Sequence, residues 1–360
     1  MPDADTTPIR WGCVGTGNIA MSMAQQLSRL PDACRELLCS ASGKSADAIE
    51  AQRVKYGYAR TASSVEELVA DPRVDVVYVA SSNTAHAAHC LLALRAGKPV
   101  LCEKPLTMTA AELEEVCGEA QRRGLLFVDG TFSAYLPGCA ALRASLAAVG
   151  RVSEVRLNKK IRLSIMRGSP VINKRAMGGG LFDGCGSYTA HALVVVFGAA
   201  AVAALRPVDL DVVSTAGPAG VGEEVDWDTT VTVRICDAVA VLTHRAADDA
   251  WQSVVRGERG LLEFDLPRLA RVSLDGAPMQ VTYTGAPDAA DLPADEPGAP
   301  HGLHTGLGVE AHAVHCALRA GATGPGLAQL PLEEMRAVAH LMDLVRQRLP
   351  THLHYKPGVA

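Results

Sequence analysis

The first 130 residues alternate short apolar runs with segments whose apolar positions recur at helical spacing. Ile9–Val14 is apolar, and the segment after it keeps helical spacing as far as Pro31. The later apolar runs, which we predict to be strands, are residues 37–41, 74–80, 99–102 and 125–128. Repeated alternation of strands and helices predicts a parallel sheet covered by helices on both faces, with ligands bound at the carboxyl ends of the strands.

After Asp129 the strands become longer and alternate apolar with polar positions, as at residues 229–235. This alternation predicts a largely antiparallel sheet with one buried face. The predicted strands are residues 152–163, 229–235, 239–243, 261–264 and 280–283, and the predicted helices are residues 184–197, 306–320 and 332–349. Residues 285–302, rich in Pro, Asp, Ala and Gly, are predicted to form a loop.

A glycine-rich turn lies between the first strand and the first helix. Gly15 would permit a tight turn, Gly17 the close approach of a pyrophosphate, and Ala20 contact between helix and strand. A plain glycine turn is the alternative, but a turn in this context favours a dinucleotide site. The residues whose amides lie at the turn and the helix start are Thr16, Asn18 and Ile19.

The end of the second strand bears on the choice between NAD and NADP. No Asp or Glu stands there to bind the ribose hydroxyls, whereas Ser42 and Lys44 offer a hydroxyl and a cation. These groups suit a 2′-phosphate, so the sequence predicts NADP as the cofactor, with NAD also possible. The alternative is that Lys44 is a solvated surface lysine.

These patterns define an α/β chain of two domains. Residues 1–129 are predicted to form a Rossmann domain with a doubly wound parallel sheet. Residues 130–360 are predicted to form an α+β domain with a large, mostly antiparallel open sheet and a C-terminal helix at 332–349. Because the free face of such a sheet must be covered, we expect a homodimer or a higher homo-oligomer.

Composition excludes several classes of partner. The net charge of −5 gives no basic field for nucleic acid or anionic membranes. The N-terminus lacks the features of a signal peptide, and the longest apolar run, 192–204, is too short to span a bilayer, so we predict a cytoplasmic protein. The ten cysteines include no CxxC pair and are predicted to be reduced. The histidines of 86–90 and 312–315 lack further ligands, so no metal is expected.

The tripeptide Glu103-Lys104-Pro105 follows the strand predicted at 99–102. Alone it would be an ordinary surface ion pair. At the carboxyl end of a parallel strand it would line the crevice for the nicotinamide, where a lysine can hydrogen-bond a substrate oxygen.

The chain resembles the Gfo/Idh/MocA family of oxidoreductases over nearly its whole length. The resemblance is carried by the glycine turn, by the run 79–86, by the Glu-Lys-Pro block with the residues before it, and by Gly178-Gly179-Gly180 leading to Asp183 and Tyr188. The segments 225–233 and 309–321 are most similar to the dimeric dihydrodiol dehydrogenase branch, as is the tyrosine at position 188.

The resemblance implies roles for particular residues. Lys104 would be the catalytic lysine and Tyr188 the proton donor or acceptor. Lys104 would also lie beside the cofactor, together with Ser81, Asn83, His86 and Glu103. The family's catalytic carboxylate leaves two alternatives. Counting back from Tyr188 places it at Gly184, whereas counting forward from the glycines favours Asp183, and we predict Asp183 as the third catalytic residue.

The resemblance further implies an NAD(P)-dependent enzyme that interconverts a secondary alcohol and a ketone. Its substrate would be a sugar, an inositol, a keto-sugar intermediate or a dihydrodiol. Two alternatives stay open: a catalytically silent dinucleotide-binding regulator, and a redox-initiated NAD-dependent glycosidase.

Overall fold

The computed structural model of the protein describes residues 7–41, 44–169, 171–222, 224–247, 252–266, 269, 272–278 and 304–350. The helices are α1 (Asn18–Leu27), α2 (Ala46–Tyr56), α3 (Val65–Ala70), α4 (His86–Arg95), α5 (Ala110–Arg123), α6 (Pro137–Val149), α7 (Leu163–Gly168), α8 (Leu181–Phe197), α9 (Ala199–Ala203), α10 (His304–Arg319) and α11 (Leu332–Arg348). The strands are β1 (Ile9–Val14), β2 (Ala33–Cys39), β3 (Arg60–Ala62), β4 (Val76–Val79), β5 (Val100–Glu103), β6 (Phe127–Gly130), β7 (Val152–Ile161), β8 (Leu210–Ala216), β9 (Asp226–Ile235), β10 (Ala238–Ala246), β11 (Ser253–Gly257), β12 (Gly260–Phe264), β13 (Val272–Leu274), β14 (Ala277–Pro278), β15 (Gly326–Leu327) and β16 (Leu330–Pro331).

The chain divides into two compact units. The first unit holds the described residues of 1–106, 112–132 and 285–329, and the second holds those of 107–111, 133–284 and 330–360. This grouping differs from a single boundary after residue 129, because α10 belongs to the first unit, where it packs against α1. Residues 107–111, which follow the Glu-Lys-Pro block closely, belong to the second unit.

The sheet of the first unit has six strands in the order β3-β2-β1-β4-β5-β6, and every pairing is parallel. This is the strand order of a dinucleotide-binding fold, with the order reversing between β1 and β4. Trp11, Cys13 and Val14 of the central strand are buried, as expected for a strand covered on both faces. The predicted doubly wound sheet is confirmed.

The sheet of the second unit has eight strands in the order β14-β13-β12-β11-β7-β10-β9-β8. All its pairings are antiparallel except that between β7 and β10. Alternate residues such as Val155, Leu157, Val231 and Val233 face a core shared with α8 and α11. The large, mostly antiparallel sheet is therefore confirmed.

Several elements could not be found from apolar pattern. Helix α2 has no buried residue, and β8 buries only Leu210, so neither presents a continuous apolar face. The strand predicted at 280–283 and the loop predicted at 285–302 lie outside the described residues. No helix among the residues that the structure describes is both long and apolar enough to cross a membrane.

Candidate active site

The glycine turn of the first unit leaves a helix start open toward solvent. Gly15 has a φ of +143°, and a Cβ added to it would lie 2.3 Å from the carbonyl oxygen of Ala80, so only glycine fits. Gly17 is the N-cap of α1 with no side-chain cap, and an added Cβ there would meet nothing within 4 Å. The first turn of α1 has no acidic residue, so its amides suit the phosphates of a dinucleotide.

Two side chains that follow β2 reach back to this turn. Lys44 Nζ donates to the carbonyl oxygen of Thr16 at 2.9 Å, and Gln52 Nε2 donates to the same oxygen at 3.2 Å. The hydroxyls of Thr16 and Ser40 lie 3.3 Å apart. Lys44 is exposed, but its ammonium group is held at the glycine turn, while Ser42 lies outside the described residues.

The turn after β4 contains the residues predicted to lie beside the nicotinamide. His86 Nδ1 is 2.9 Å from the carbonyl oxygen of Pro105, and its Nε2 is 3.3 Å from that of Ser81. Burial lowers the pKa of His86 to about 4, so the imidazole is neutral at physiological pH. Asn83 lies in the same turn, just before α4. The structure thus joins His86, Ser81 and the Glu-Lys-Pro block within the first unit.

Glu103, the last residue of β5, is fixed by two donors. Tyr78 Oη donates to its Oε1 at 2.7 Å, and the backbone amide of Lys104 donates to its Oε2 at 3.2 Å. Burial raises the pKa of Glu103, which the charge of Lys104 and the bond from Tyr78 oppose. Lys104 therefore follows the carboxyl end of β5, directly after a glutamate whose carboxyl group is buried and held in one orientation.

Helix α10, which belongs to the first unit, carries a further buried acid. Glu310 of α10 is 0% exposed, and neither of its carboxyl oxygens has a hydrogen-bond partner among the described residues. Burial and the charges of Glu103 and Asp129 raise the pKa of Glu310 well above its usual value, which favours the protonated acid. Sequence reasoning missed Glu310, although it follows Leu307 by three positions on the apolar face of the helix.

Asp183, in the first turn of α8, is 2% exposed and pairs with Arg346 of α11. Arg346 Nε donates to Asp183 Oδ1 at 2.7 Å, and its Nη1 donates to the carbonyl oxygen of Met108 at 2.7 Å. Asp343, 3.3 Å from Arg346, accepts from the amide of Ala110 at 2.8 Å. The Asp183 carboxylate thus belongs to a buried network that ties α8, α11 and residues 107–111 together.

Gly184 and Tyr188 lie four residues apart on α8 and therefore share one face of the helix. A Cβ added at Gly184 would meet only Ile161 Cδ1, at 4.0 Å, so this position has room. Tyr188 is 4% exposed, and Lys159 Nζ lies 5.9 Å from the centre of its ring. Strand β7 thus lies against the face of α8 that carries Tyr188.

The glycine run before α8 is fixed by a buried acid of β9. Asp226 Oδ2 accepts from the amide of Phe182 at 2.9 Å and from Thr229 Oγ1 at 2.7 Å. Gly180 has a φ of +119°, and a Cβ there would lie 2.3 Å from Asp226 Oδ1. Burial raises the pKa of Asp226 to about 7. The run Gly178-Gly179-Gly180 therefore sets where α8 begins.

No cluster of three or more histidine, cysteine or acidic side chains within the described ranges is arranged to hold a metal. The ten cysteines are free thiols, and only Cys236 and Cys316 are exposed.

Comparison with known proteins agrees with these features. A family model described as an oxidoreductase family with an NAD-binding Rossmann fold matches residues 9–130. The trans-1,2-dihydrobenzene-1,2-diol dehydrogenase of Bos taurus is 28% identical over 359 residues, covering 95% of this chain and 97% of the relative. The enzyme of the same name from Sus scrofa is 30% identical over 280 residues, covering 72% of this chain and 80% of the relative.

Solved structures show the same fold. A levoglucosan dehydrogenase in complex with NADH and levoglucosan has a TM-score of 0.73 at 18% identity, covering 95% of this chain and 97% of that one. A 3-ketoreductase from Actinomadura kijaniata, in complex with NADP and TDP-benzene, has a TM-score of 0.73 at 22% identity, covering 98% and 100%. The chain therefore belongs to the Gfo/Idh/MocA family of NAD-binding oxidoreductases, as these relatives show together with the parallel sheet, the glycine turn and the Glu-Lys-Pro block.

Proposed function

We propose that the protein is an NAD(P)-dependent dehydrogenase that interconverts a secondary alcohol and a ketone on a small polyhydroxylated substrate. The observation that carries this proposal is Lys104 at the carboxyl end of β5, next to a Glu103 that Tyr78 holds in place. A cation at the end of a parallel strand suits a reacting oxygen. The names of the relatives, which are dehydrogenases of diols, support the same reaction type.

Each residue has a defined task in this proposal. The nicotinamide, when bound, accepts or supplies the hydride. Lys104 donates a hydrogen bond to the substrate oxygen, and Tyr188 accepts the hydroxyl proton during oxidation or returns it during reduction. The glycine turn binds the phosphates, and Ser81, Asn83 and His86 line the nicotinamide end.

For the family's carboxylate we propose the alternative in which Gly184 holds that position. Asp183 is engaged by Arg346 in the interior, whereas Gly184 has open space beside it on the face that carries Tyr188. A site without this carboxylate has one anion fewer and more room. The substrate is then bulkier or less hydroxylated than a simple sugar, as a dihydrodiol is.

A substrate panel tests the function directly. The purified protein should reduce NADP or NAD with at least one member of a panel of sugars, inositols and dihydrodiols, with the dihydrodiols turned over fastest. The readout is the absorbance of reduced nicotinamide. No turnover of any alcohol or of the matching ketones, with dinucleotide still bound, would contradict the proposal and favour a silent regulator. Turnover of glycosides without added oxidant would favour the glycosidase.

Cofactor choice is a second prediction. Because Lys44 is held at the glycine turn, we expect NADP to bind at least several-fold more tightly than NAD. Lys44→Ala should abolish most of that preference and leave the affinity for NAD nearly unchanged. Calorimetric titration of both cofactors into both proteins measures this, with Lys55→Ala on the neighbouring helix as a control. Equal affinities of the wild-type protein for NADP and NAD would contradict the predicted preference for NADP.

We also propose that the protein assembles through the outer face of the second sheet. Val239 of β10 and Val213 of β8 are 45% and 69% exposed on this face. The ion pairs Arg245–Asp228 and Arg234–Asp211, at 2.6 and 2.7 Å, lie near them. An extended, twisted sheet face with exposed valines suits a second copy of the chain.

A further inference from the structure

The residue that places a positive charge next to Tyr188 within the second unit is Lys159 of β7. Its Nζ lies 5.9 Å from the centre of the Tyr188 ring and donates to the carbonyl oxygen of Lys160 at 2.7 Å. Lys159 is half-buried and Tyr188 is buried, so water screens their interaction only in part. The hydrogen bond to Lys160 anchors the ammonium group on this side of β7.

The charge of Lys159 also acts on His244, which contacts α8 through Thr189. His244 of β10 is the ladder partner of Lys159, and burial together with the charge of Lys159 lowers the pKa of His244 to about 4. Thr189, which follows Tyr188, lies 2.8 Å from His244 Nε2. The imidazole is therefore neutral, so no charged histidine repels the ammonium group of Lys159 on this face of the helix.

The other charged groups packed against α8 are already engaged. Asp183 of α8 itself pairs with Arg346 of α11, and Asp226 of β9 accepts from Phe182 and Thr229. Toward the C-terminal end of α8 the remaining group is His191 with Glu334 of α11 and Arg143 of α6. None of these contacts involves Tyr188, whereas Lys159 lies against its ring.

We propose that Lys159 is a positioning residue that stabilises the phenolate form of Tyr188 and thereby sets the pH range in which this tyrosine accepts a proton from the substrate. An ammonium group favours a neighbouring anion, and a tyrosine serves as a base only in its phenolate form. The inference rests on the proposed function of Tyr188. During oxidation the proton of the substrate hydroxyl passes to the phenolate. The carbon that bears this hydroxyl loses a hydride, which the oxidised nicotinamide would accept.

The test is a titration of Tyr188 in the absence of substrate. Tyrosinate absorbance is recorded against pH for the wild type and for Tyr188→Phe, and the difference gives Tyr188 alone. Tyr58 and Tyr78 do not interfere, since burial raises the pKa of both well above the usual value. In Lys159→Met the titration should move up by about one pH unit, as for an ammonium group roughly 6 Å from the ring centre at an effective dielectric constant of about 40. Lys159→Arg should restore the wild-type position.

Activity supplies the second readout. In Lys159→Met or Lys159→Gln, kcat/KM for oxidation should fall by about tenfold at neutral pH and recover at alkaline pH, where the phenolate forms without help. Lys160→Met, one residue along the strand, should keep the wild-type profile. A loss of equal size at every pH, or an unshifted Tyr188 titration, would overturn the inference. Tyr188→Phe tests the proposed function separately, because full activity of that variant would remove Tyr188 from the reaction.

Discussion

Replacing Lys104 with alanine should lower kcat by about 100-fold or more while leaving the affinity for the dinucleotide nearly unchanged. The ammonium group follows β5 at the strand's carboxyl end, whereas the phosphates are expected at the glycine turn and the start of α1. A group that acts on the reacting oxygen contributes more in the transition state than in the bound ground state, so its loss falls on kcat. Steady-state kinetics and a cofactor titration measure the two quantities.

Lys98 offers a matched control, because it precedes the same strand. Its Nζ donates to the carbonyl oxygens of Asp71 and Val74 at 2.9 and 2.7 Å. Lys98→Met should therefore reduce stability and leave kcat close to the wild-type value. If Lys104→Ala kept kcat within about threefold of the wild type, Lys104 would not act on the reacting atoms.

Arg346→Met should lower the free energy of unfolding of the second unit by about 3–5 kcal/mol. Removing Arg346 leaves the buried Asp183 carboxylate without its partner and frees the carbonyl oxygen of Met108. Chemical denaturation followed by tryptophan fluorescence in a Trp11→Phe background measures the loss, because Trp227 belongs to the second unit.

The double variant Asp183→Asn/Arg346→Met distinguishes the two roles of Asp183. If Asp183 serves the ion pair, the double variant should be more stable than Arg346→Met alone, since no buried charge is left unpaired. Asp183→Asn by itself should then reduce stability, and its kcat/KM should stay within about threefold of the wild type, a difference under roughly 0.7 kcal/mol. A large loss of kcat/KM at unchanged stability would restore Asp183 to the reaction.

Local signals predicted the first unit well. The apolar run of β1 and the glycine turn are contiguous in sequence, and an unbroken apolar strand followed by such a turn has few alternative structures. Lys104 could be proposed as a site residue because a parallel strand's carboxyl end is a place that the strand pattern itself defines. Each of these conclusions needs only the residues on either side of it.

Residues whose role depends on a distant partner could not be predicted in the same way. Arg346 lies 163 positions from Asp183, and nothing near either residue indicates their pairing. Helical spacing shows that Asp183 and Gly184 point in different directions, but it does not show which of them faces the interior. Glu310 likewise becomes unusual only when α10 brings it near Glu103 and Asp129.

Helix α10 has a consequence for how the chain is made. The six strands of the first sheet end at Gly130, yet α10, which packs against α1, begins at His304. On the ribosome, residues 133–284 of the second unit emerge before α10 does, so α1 stays without this neighbour while most of the second unit is synthesised. Contacts between segments so far apart in sequence also slow folding. The nucleotide-binding unit is therefore completed late in translation, although most of it is synthesised first.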